Sequence, residues 1–345
     1  MVTIKQIAEK AGVSIGTVDR VLHNRGYVSE QAEQKIRKAI AELDYKPNIF
    51  ARHLKLSRSF KFGVLMPNFD QDCGYWQMPG SGILKAQSEL KTHRIEIEFF
   101  YFDRSSEDSF SQACKKVLGS NLNGLLIAPT FGSALYSLIH KLPKDFPYVF
   151  FDSPLPNVPC LSCIVQDSFL SGQLAGRLMS LLINGPGAAA AIRILPEDFH
   201  IDERIRGFQT FLKDHPSLQV ELYEAVPGNE TNTIFSIVDQ ILNNNQQIRG
   251  FFIPNALTFQ FVRALEKNHM EKKIHVIGYD LLKENIEYLK RGQIDFLISQ
   301  QSHQQGYNGI YTLFRRVVLN EAVPNRMMMA IDIIAKENVD YYQMK

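Results

Sequence analysis

Cys160 and Cys163 form a single C-x-x-C, a spacing that serves zinc binding or dithiol chemistry. A structural zinc site takes four ligands, and the sequence supplies neither a second such pair nor a nearby pair of histidines. The two therefore read as buried or incidental thiols at the entrance of a strand. Gly185-Pro186-Gly187-Ala188-Ala189-Ala190 fits G-x-G-x-x-A. It follows a helical pattern and precedes a strand, whereas a dinucleotide loop needs the reverse order, so it reads as a helix–strand turn. No G-x-x-x-x-G-K-[ST], H-E-x-x-H or G-x-S-x-G occurs, and no acid/base constellation stands out. The expectation is a binding protein, not an enzyme, with no catalytic residue, metal or cofactor.

The elements that carry these residues must come from a chain of 345 residues, 45% hydrophobic and 21% charged. That length allows about two or three domains and a core that needs no disulfide or metal. Composition excludes collagen, coiled coil and a wholly disordered chain. No apolar run approaches the roughly 18 residues of a membrane span. The N-terminus goes straight into an amphipathic pattern without a signal peptide, and four cysteines suit a reducing compartment, so a cytoplasmic protein is expected. Residues 1–58 hold 11 Lys/Arg against 6 Asp/Glu, while the remainder holds 27 against 30. A small basic head on a slightly acidic body suggests that the head meets a polyanion.

Within the head, Thr3 and Gln6 make a T-x-x-Q capping box for a helix with Ile4, Ile7, Ala8 and Ala11 on one face. Gly12 stands where a helix ends in positive φ. Ser14 caps a second helix over Ile15 to Leu22, and Ser29 caps a third whose apolar face is Ala32, Ile36, Ala39, Ile40 and Leu43. Two short helices joined by a tight glycine turn are the helix-turn-helix pattern. On pattern alone, a generic small bundle is equally admissible.

The letters themselves go further. Val2-Thr3-Ile4, Ile7-Ala8, Ala11-Gly12-Val13-Ser14, Thr17-Val18 and Arg20-Val21-Leu22, continued by Val28-Ser29, Ala41 to Asn48 and Ala51-Arg52-His53-Leu54, closely resemble the N-terminus of the LacI/GalR family of bacterial transcription regulators. The resemblance implies a headpiece over 1–58 with a hinge helix at about 48–56. Its DNA-binding set would be Thr3, Ser14, Ile15, Gly16, Thr17, Arg20, Asn48, Arg52 and Leu54. The second helix would enter the major groove, with Arg20 reading guanine, Ile15 meeting a thymine methyl, and Thr17 positioning phosphate. Asn48 would cap the hinge helix, and Leu54 would wedge between base steps in the minor groove. Gly16 and Asp19 depart from the family's commoner residues, which bears on the operator read and not on DNA binding itself.

From Phe60 the period changes to alternating strands and helices. Strands are expected at 62–66, 97–102, 124–128, 148–151, 161–165, 190–195, 220–225, 250–253, 275–279 and 296–299, with helices between them. Such units imply parallel sheets covered on both faces. Asp167 with Gly172, Arg204-x-x-Gly207-Phe208, Val276-Ile277-Gly278-Tyr279-Asp280 and Gln300 with Gly306 resemble the effector domain of the same family, a two-lobed α/β fold like that of periplasmic binding proteins. The resemblance implies one lobe at about 60–161 and 292–323 and a second at about 162–291 and 324–345. It implies an effector site of Tyr75, Trp76, Asp167, Arg204, Asn255, Asp280 and Gln300. Asp152 ends a strand and is a further candidate, although Ser153 replaces the family's following arginine. Carboxylates and a guanidinium at strand ends suit a polyol, and Trp76 and Tyr75 could stack on a sugar face.

The expected protein is a cytoplasmic regulator of transcription, a repressor of a carbohydrate-use operon. Its partners would be double-stranded operator DNA, a sugar or sugar derivative, and a second copy of itself, with no membrane. The chain ends without a heptad tail, so a dimer is expected. The rival readings are a solute-binding protein and a sugar-modifying enzyme carrying a DNA-binding head.

Overall fold

The computed structural model describes residues 4–22, 28–43, 59–195, 198–225, 232–271 and 273–343. The chain divides into two units, Met1–Arg58 and Ser59–Lys345. In the first, α1 (Ile4–Ala11), α2 (Ile15–Leu22) and α3 (Glu30–Glu42) pack around Ile7, Ala8, Ala11, Val18, Ile36 and Ala39. Gly12 takes φ 65° at the end of α1, a conformation glycine reaches without a Cβ penalty. Ser14 caps α2, its Oγ accepting from the Thr17 amide at 3.2 Å. Ser29 does not cap α3 through its side chain; only its carbonyl is used, by the Glu33 amide at 3.0 Å. Thr3, Asn48, Arg52 and Leu54, and with them the hinge segment, lie outside the described residues.

The second unit holds two six-stranded sheets. The first runs in the order β11-β5-β4-β3-β1-β2, built from β1 (Phe60–Pro67), β2 (Ile95–Phe102), β3 (Gly124–Ile127), β4 (Tyr148–Phe151), β5 (Ser162–Gln166) and β11 (Arg326–Met329). All its neighbours are parallel. The second runs β12-β10-β9-β8-β6-β7, from β6 (Gly187–Ile194), β7 (Leu218–Ala225), β8 (Ile248–Phe252), β9 (His275–Tyr279), β10 (Phe296–Ser299) and an antiparallel edge strand β12 (Asp332–Ile334). The ten expected strands are present, while β11 and β12 are additions.

Helices cover both faces, as a parallel sheet requires. The first lobe uses α4 (Gln77–Glu89), α5 (Glu107–Gly119), α6 (Gly132–Lys141) and α12 (Ser302–Val317). The second uses α7 (Ser168–Ile183), α8 (Phe199–Leu212), α9 (Asn232–Asn244), α10 (Thr258–Lys267) and α11 (Lys283–Lys290); α13 (Val339–Gln343) closes the chain. The alternation of the strands decides which layer each residue joins. On β6, Ala188, Ala190 and Ile192 pack into one core, and Ala189 and Ala191 into the other, the period of two that a pleated strand imposes. Gly185 and Pro186 fall in the turn between α7 and β6, while Gly187–Ala190, read as part of that turn, already belong to β6.

The lobe boundaries differ from those expected. β5 pairs with β4 and β11, so 162–166 and 326–329 complete the first sheet and not the second. β10 pairs with β9 and β12, so 296–299 belongs to the second. The chain crosses after each of these strands, at Asp167, at Gln300–Gln301 and at Ala330–Ile331. A short buried strand carries no mark of the sheet it joins, which is why the sequence misplaced the crossings. Gln166 ties all three together: it ends β5, and its Nε2 donates to the carbonyls of Ser299 and Ala330, both at 2.9 Å. Gln301 adds a bond to the Asp332 carboxylate at 2.8 Å.

Within each lobe two helices approach backbone to backbone. A Cβ on Gly172 of α7 would lie 2.0 Å from the Arg204 carbonyl oxygen, and one on Gly207 of α8 would lie 2.0 Å from that of Phe169. In the first lobe the same holds for Gly82 against His303 at 1.9 Å and Gly306 against Pro79 at 2.2 Å. Gly207→Ala is therefore expected to lower unfolding free energy by about 1–3 kcal/mol or more. Gly119→Ala, with nothing within 4 Å, should be neutral or gain at most about 1 kcal/mol. Urea unfolding of the full chain separates the two, and equal effects would contradict the close packing of α7 on α8.

Candidate functional site

The carboxyl ends of the two sheets face one another, the place where open α/β sheets gather ligand-binding side chains. From the first lobe come Asp72, Tyr75 and Trp76 after β1, Arg104 after β2 and Asp152 at the end of β4. From the second come His200 and Arg204 on α8, Asn255 after β8, Asp280 after β9 and Gln300 after β10. They line a space of about 30 Å³, on the order of one water's share of the liquid. A sugar-sized molecule is larger than this space.

Arg204 is 1% exposed. Its Nη1 donates to the Pro254 carbonyl at 2.8 Å and its Nη2 to Gln300 Oε1 at 2.9 Å, and its guanidinium lies 4.0 Å from the Tyr279 ring centre. Its Nε is buried without a hydrogen-bond partner. It does not pair with Asp202 or Glu203, which serve Arg193 and Arg206. Gln300 in turn donates from Nε2 to the Asp280 carboxylate at 3.1 Å and to the Tyr75 hydroxyl at 2.9 Å. Tyr75 donates its own proton to Asp152 Oδ1, so one phenol–amide bridge joins carboxylates of opposite lobes.

Asp152 and Asp280 both hold left-handed backbone, at φ 69° and 65°, which aspartate tolerates better than most residues. Buried amides fix them there. The Asp152 amide donates to Gln305 Oε1 at 2.8 Å, and Gln305 Nε2 reaches the Gln300 carbonyl at 2.9 Å. Asn285 Nδ2 donates to the carbonyls of Ala256, Tyr279 and Asp280 at 2.9–3.1 Å. That one side chain binds the loop carrying Asn255 to the loop carrying Asp280.

A second polar group bridges the lobes at the rim. Arg104 donates to both oxygens of Asp72 at 3.1 and 3.0 Å, and from Nη2 to Asp198 of the opposite lobe at 2.9 Å. Asp198 also bonds His200 Nδ1 at 2.6 Å. Burial alone would raise Asp198, but His200 and Arg104 outweigh it and hold the carboxyl well below the usual range. Among the described residues Asp280 makes no ion pair. Burial pushes it up to about 6, with Arg204 and Gln300 opposing and Asp152 reinforcing the rise.

Of the expected residues, Tyr75, Trp76, Arg204, Asn255, Asp280 and Gln300 converge on this cleft. Trp76 is 3% exposed; its ring packs edge-on against Tyr75 and Phe151, and its Nε1 donates to Asp72 at 2.8 Å. Tyr75 contributes its hydroxyl and not an open ring face. Asp167 stands apart from them: it caps α7, its Oδ1 accepting from the Leu170 amide at 2.9 Å, and it is not among the residues lining the space. A carboxylate at the start of a helix meets free amides, and that need takes precedence here. Asp72, Arg104, Asp198 and His200 were missed; Arg104 stands two residues past the end of β2, and Asp280, which was expected, stands directly after β9. A larger cavity of about 440 Å³ lies at the crossovers, lined by Ser299, Gln301, His303, Asp332 and Tyr342 among others.

In the first unit, α2 turns Val18 inward and leaves Ser14, Ile15, Gly16 and Arg20 exposed. Ile15 is 53% exposed, an apolar side chain at the helix start with no core to fill. Thr17 is half-buried and hydrogen-bonded to Ser14 Oγ at 2.9 Å.

Two lobes with facing strand ends and a polar cleft define a class of small-molecule binding domain. Residues 62–320 match the family described as periplasmic binding protein domain, and residues 3–48 match bacterial regulatory proteins of the lacI family. The ribose operon repressor of Lactococcus lactis subsp. lactis is 22% identical over 98% of both chains. That of Bacillus subtilis is 26% identical over 81% of this chain and 82% of its own. A putative LacI transcriptional regulator from Bacteroides fragilis superposes with TM-score 0.78 at 25% identity, over 83% of this chain and 100% of that one. The chain belongs to the LacI family of bacterial regulatory proteins, and is a DNA-binding regulator of transcription.

The raised pKa of Asp280 has a consequence for stability. Folding favours the protonated acid, so native stability falls as pH rises from about 4, the unfolded value, to about 6. Asp280→Asn removes that charge. It is expected to stabilise the chain by on the order of 1–3 kcal/mol at pH 7 and to be near neutral below about pH 4. Chemical unfolding of both proteins across that range checks it; an Asn variant destabilised at pH 7 would contradict the buried, desolvated carboxylate.

Proposed function

We propose that this regulator represses a carbohydrate-use operon as a cytoplasmic homodimer and answers to a sugar held between its lobes. The observation that carries this reading is the Asp152–Tyr75–Gln300–Asp280 bridge, in which acceptors and donors of both lobes converge on one point. Hydroxyls of a sugar have the matching chemistry, since carboxylates accept from them and Arg204 Nε can donate to them. A ligand grasped from both sides binds the closed lobes better than the open ones, and that difference is what shifts a conformational equilibrium. Ribose is named for two of the relatives and is the first sugar to try. The cleft groups act by binding alone, without turnover. Among the described residues no helix is long and apolar enough to cross a membrane. Two exposed α2 helices in a dimer would meet two half-sites of a near-palindrome.

Trp76 is the only tryptophan and lines the cleft, so its emission reports closure. A panel of sugars beginning with D-ribose is expected to contain one that changes this emission saturably. Its midpoint should equal the midpoint for altered operator binding in a mobility-shift assay. A sugar that moves the emission and leaves operator affinity untouched would overturn the reading.

At the head, Arg20→Ala should reduce discrimination between operator and random DNA by about 1–3 kcal/mol per half-site, with sugar binding unchanged. Equal losses on both DNAs would make Arg20 a phosphate contact.

A further inference from the structure

Both guanidiniums of the cleft are already engaged by acceptors of the protein itself. Arg104 is divided between Asp72 and Asp198. Both terminal nitrogens of Arg204 are bonded to the Pro254 carbonyl and Gln300, and one side of its plane is covered by Tyr279. Its Nε is a fully buried side-chain donor left without a partner among the described residues. Against these stand the carboxylates of Asp72, Asp152 and Asp280 in the lining, with Asp198 directly behind Arg104 and His200. Four carboxylates exceed two guanidiniums, and still exceed the cations if His200 carries a proton.

From this balance we infer that the cleft selects by charge: it takes an uncharged sugar or an amino sugar, and refuses sugar phosphates and sugar acids. The inference rests on the sugar reading of the same cleft. A phosphate or carboxylate needs several convergent donors to replace its water, and here both guanidiniums that could supply them are already engaged by protein acceptors and stand among buried carboxylates. A hydroxyl is suited to the same surroundings, because it donates to Asp152 or Asp280 while accepting from Arg204 Nε. An ammonium group gains further from the negative excess. Asp152 and Asp280 come from opposite lobes and are 7% and 3% exposed, so closure leaves little water to screen the repulsion of an anion.

The test uses the full chain near pH 7 and matched sets of one sugar skeleton in different charge states. D-ribose is compared with D-ribose 5-phosphate, and D-glucose and D-glucosamine with D-glucose 6-phosphate and D-glucuronate. Thermal shift and Trp76 emission are both read. The expected result is that within the responding skeleton the neutral or amino member binds at least about 100-fold more tightly than the anionic one. Asp280→Asn should narrow that ratio about tenfold or more, by raising the affinity of the anionic member relative to its parent. An anionic member that binds as tightly as its neutral parent, or more tightly, would overturn the charge rule and leave the sugar reading standing. A response from no sugar of any charge would overturn the sugar reading itself.

Discussion

Two helix pairs, one in each lobe, lie so close that no side chain fits between their backbones. Gly172 and Gly207 seat α7 on α8, and Gly82 and Gly306 seat α4 on α12. The chemistry of the cleft is hung on these contacts. Arg204 is the residue whose carbonyl meets Gly172, so its side chain leaves α8 from a fixed point. Gln300 and Gln301 lead into α12, and Tyr75 and Trp76 lead into α4. If either pair moved apart, the Tyr75–Gln300 bridge would lose its register, because hydrogen bonds weaken steeply once the geometry departs from about 3 Å.

Interiors packed at crystal density do not deform continuously, so each lobe acts as a rigid part and the adjustable element is the set of three crossovers. Gln166 holds all three through two bonds to carbonyls, and Gln301 holds two of them through Asp332. The polar bridges across the cleft therefore oppose opening, and whatever replaces them in the cleft changes the balance between lobe arrangements. The cost of that design is visible in Asp280, a buried carboxylate raised to about 6, and in the left-handed backbone of Asp152 and Asp280. Strain and desolvation of this kind concentrate at functional sites.

The fold was legible where period and length agreed. The head showed in the spacing of Ile4, Ile7, Ala8 and Ala11, and the body in its buried runs, such as Gly124–Ile127 and His275–Tyr279. β11 and β12 were not legible: Arg326–Met329 and Asp332–Ile334 are edge strands of four and three residues, too short for any alternation to show. Which lobe owned β5 and β10 was also hidden, since sheet membership is decided by pairing and not by composition. In the site, Arg204 and Gln300 stood in motifs whose glycines, Gly207 and Gly306, turn out to be helix contacts, while Gly278 of the Asp280 motif lies on β9 against the Thr258 side chain. Asp167 belonged to such a motif too, yet its carboxylate serves the helix it begins. Arg104 and Asp198 were missed because their partnership spans 94 residues and two lobes, and nothing local announces it.

The central claim is that one small molecule is held by groups of both lobes at once. Hydrogen exchange of the full chain, with and without the sugar that moves the Trp76 emission, tests it most directly. The account predicts that amides at Asp152–Ser153 in the first lobe, and at Asn255–Leu257 and Asp280–Leu281 in the second, gain protection together at the same sugar concentration. Protection confined to one lobe, or appearing at Ser81, His303 and Tyr342 around the crossover cavity while the cleft amides stay unchanged, would contradict it.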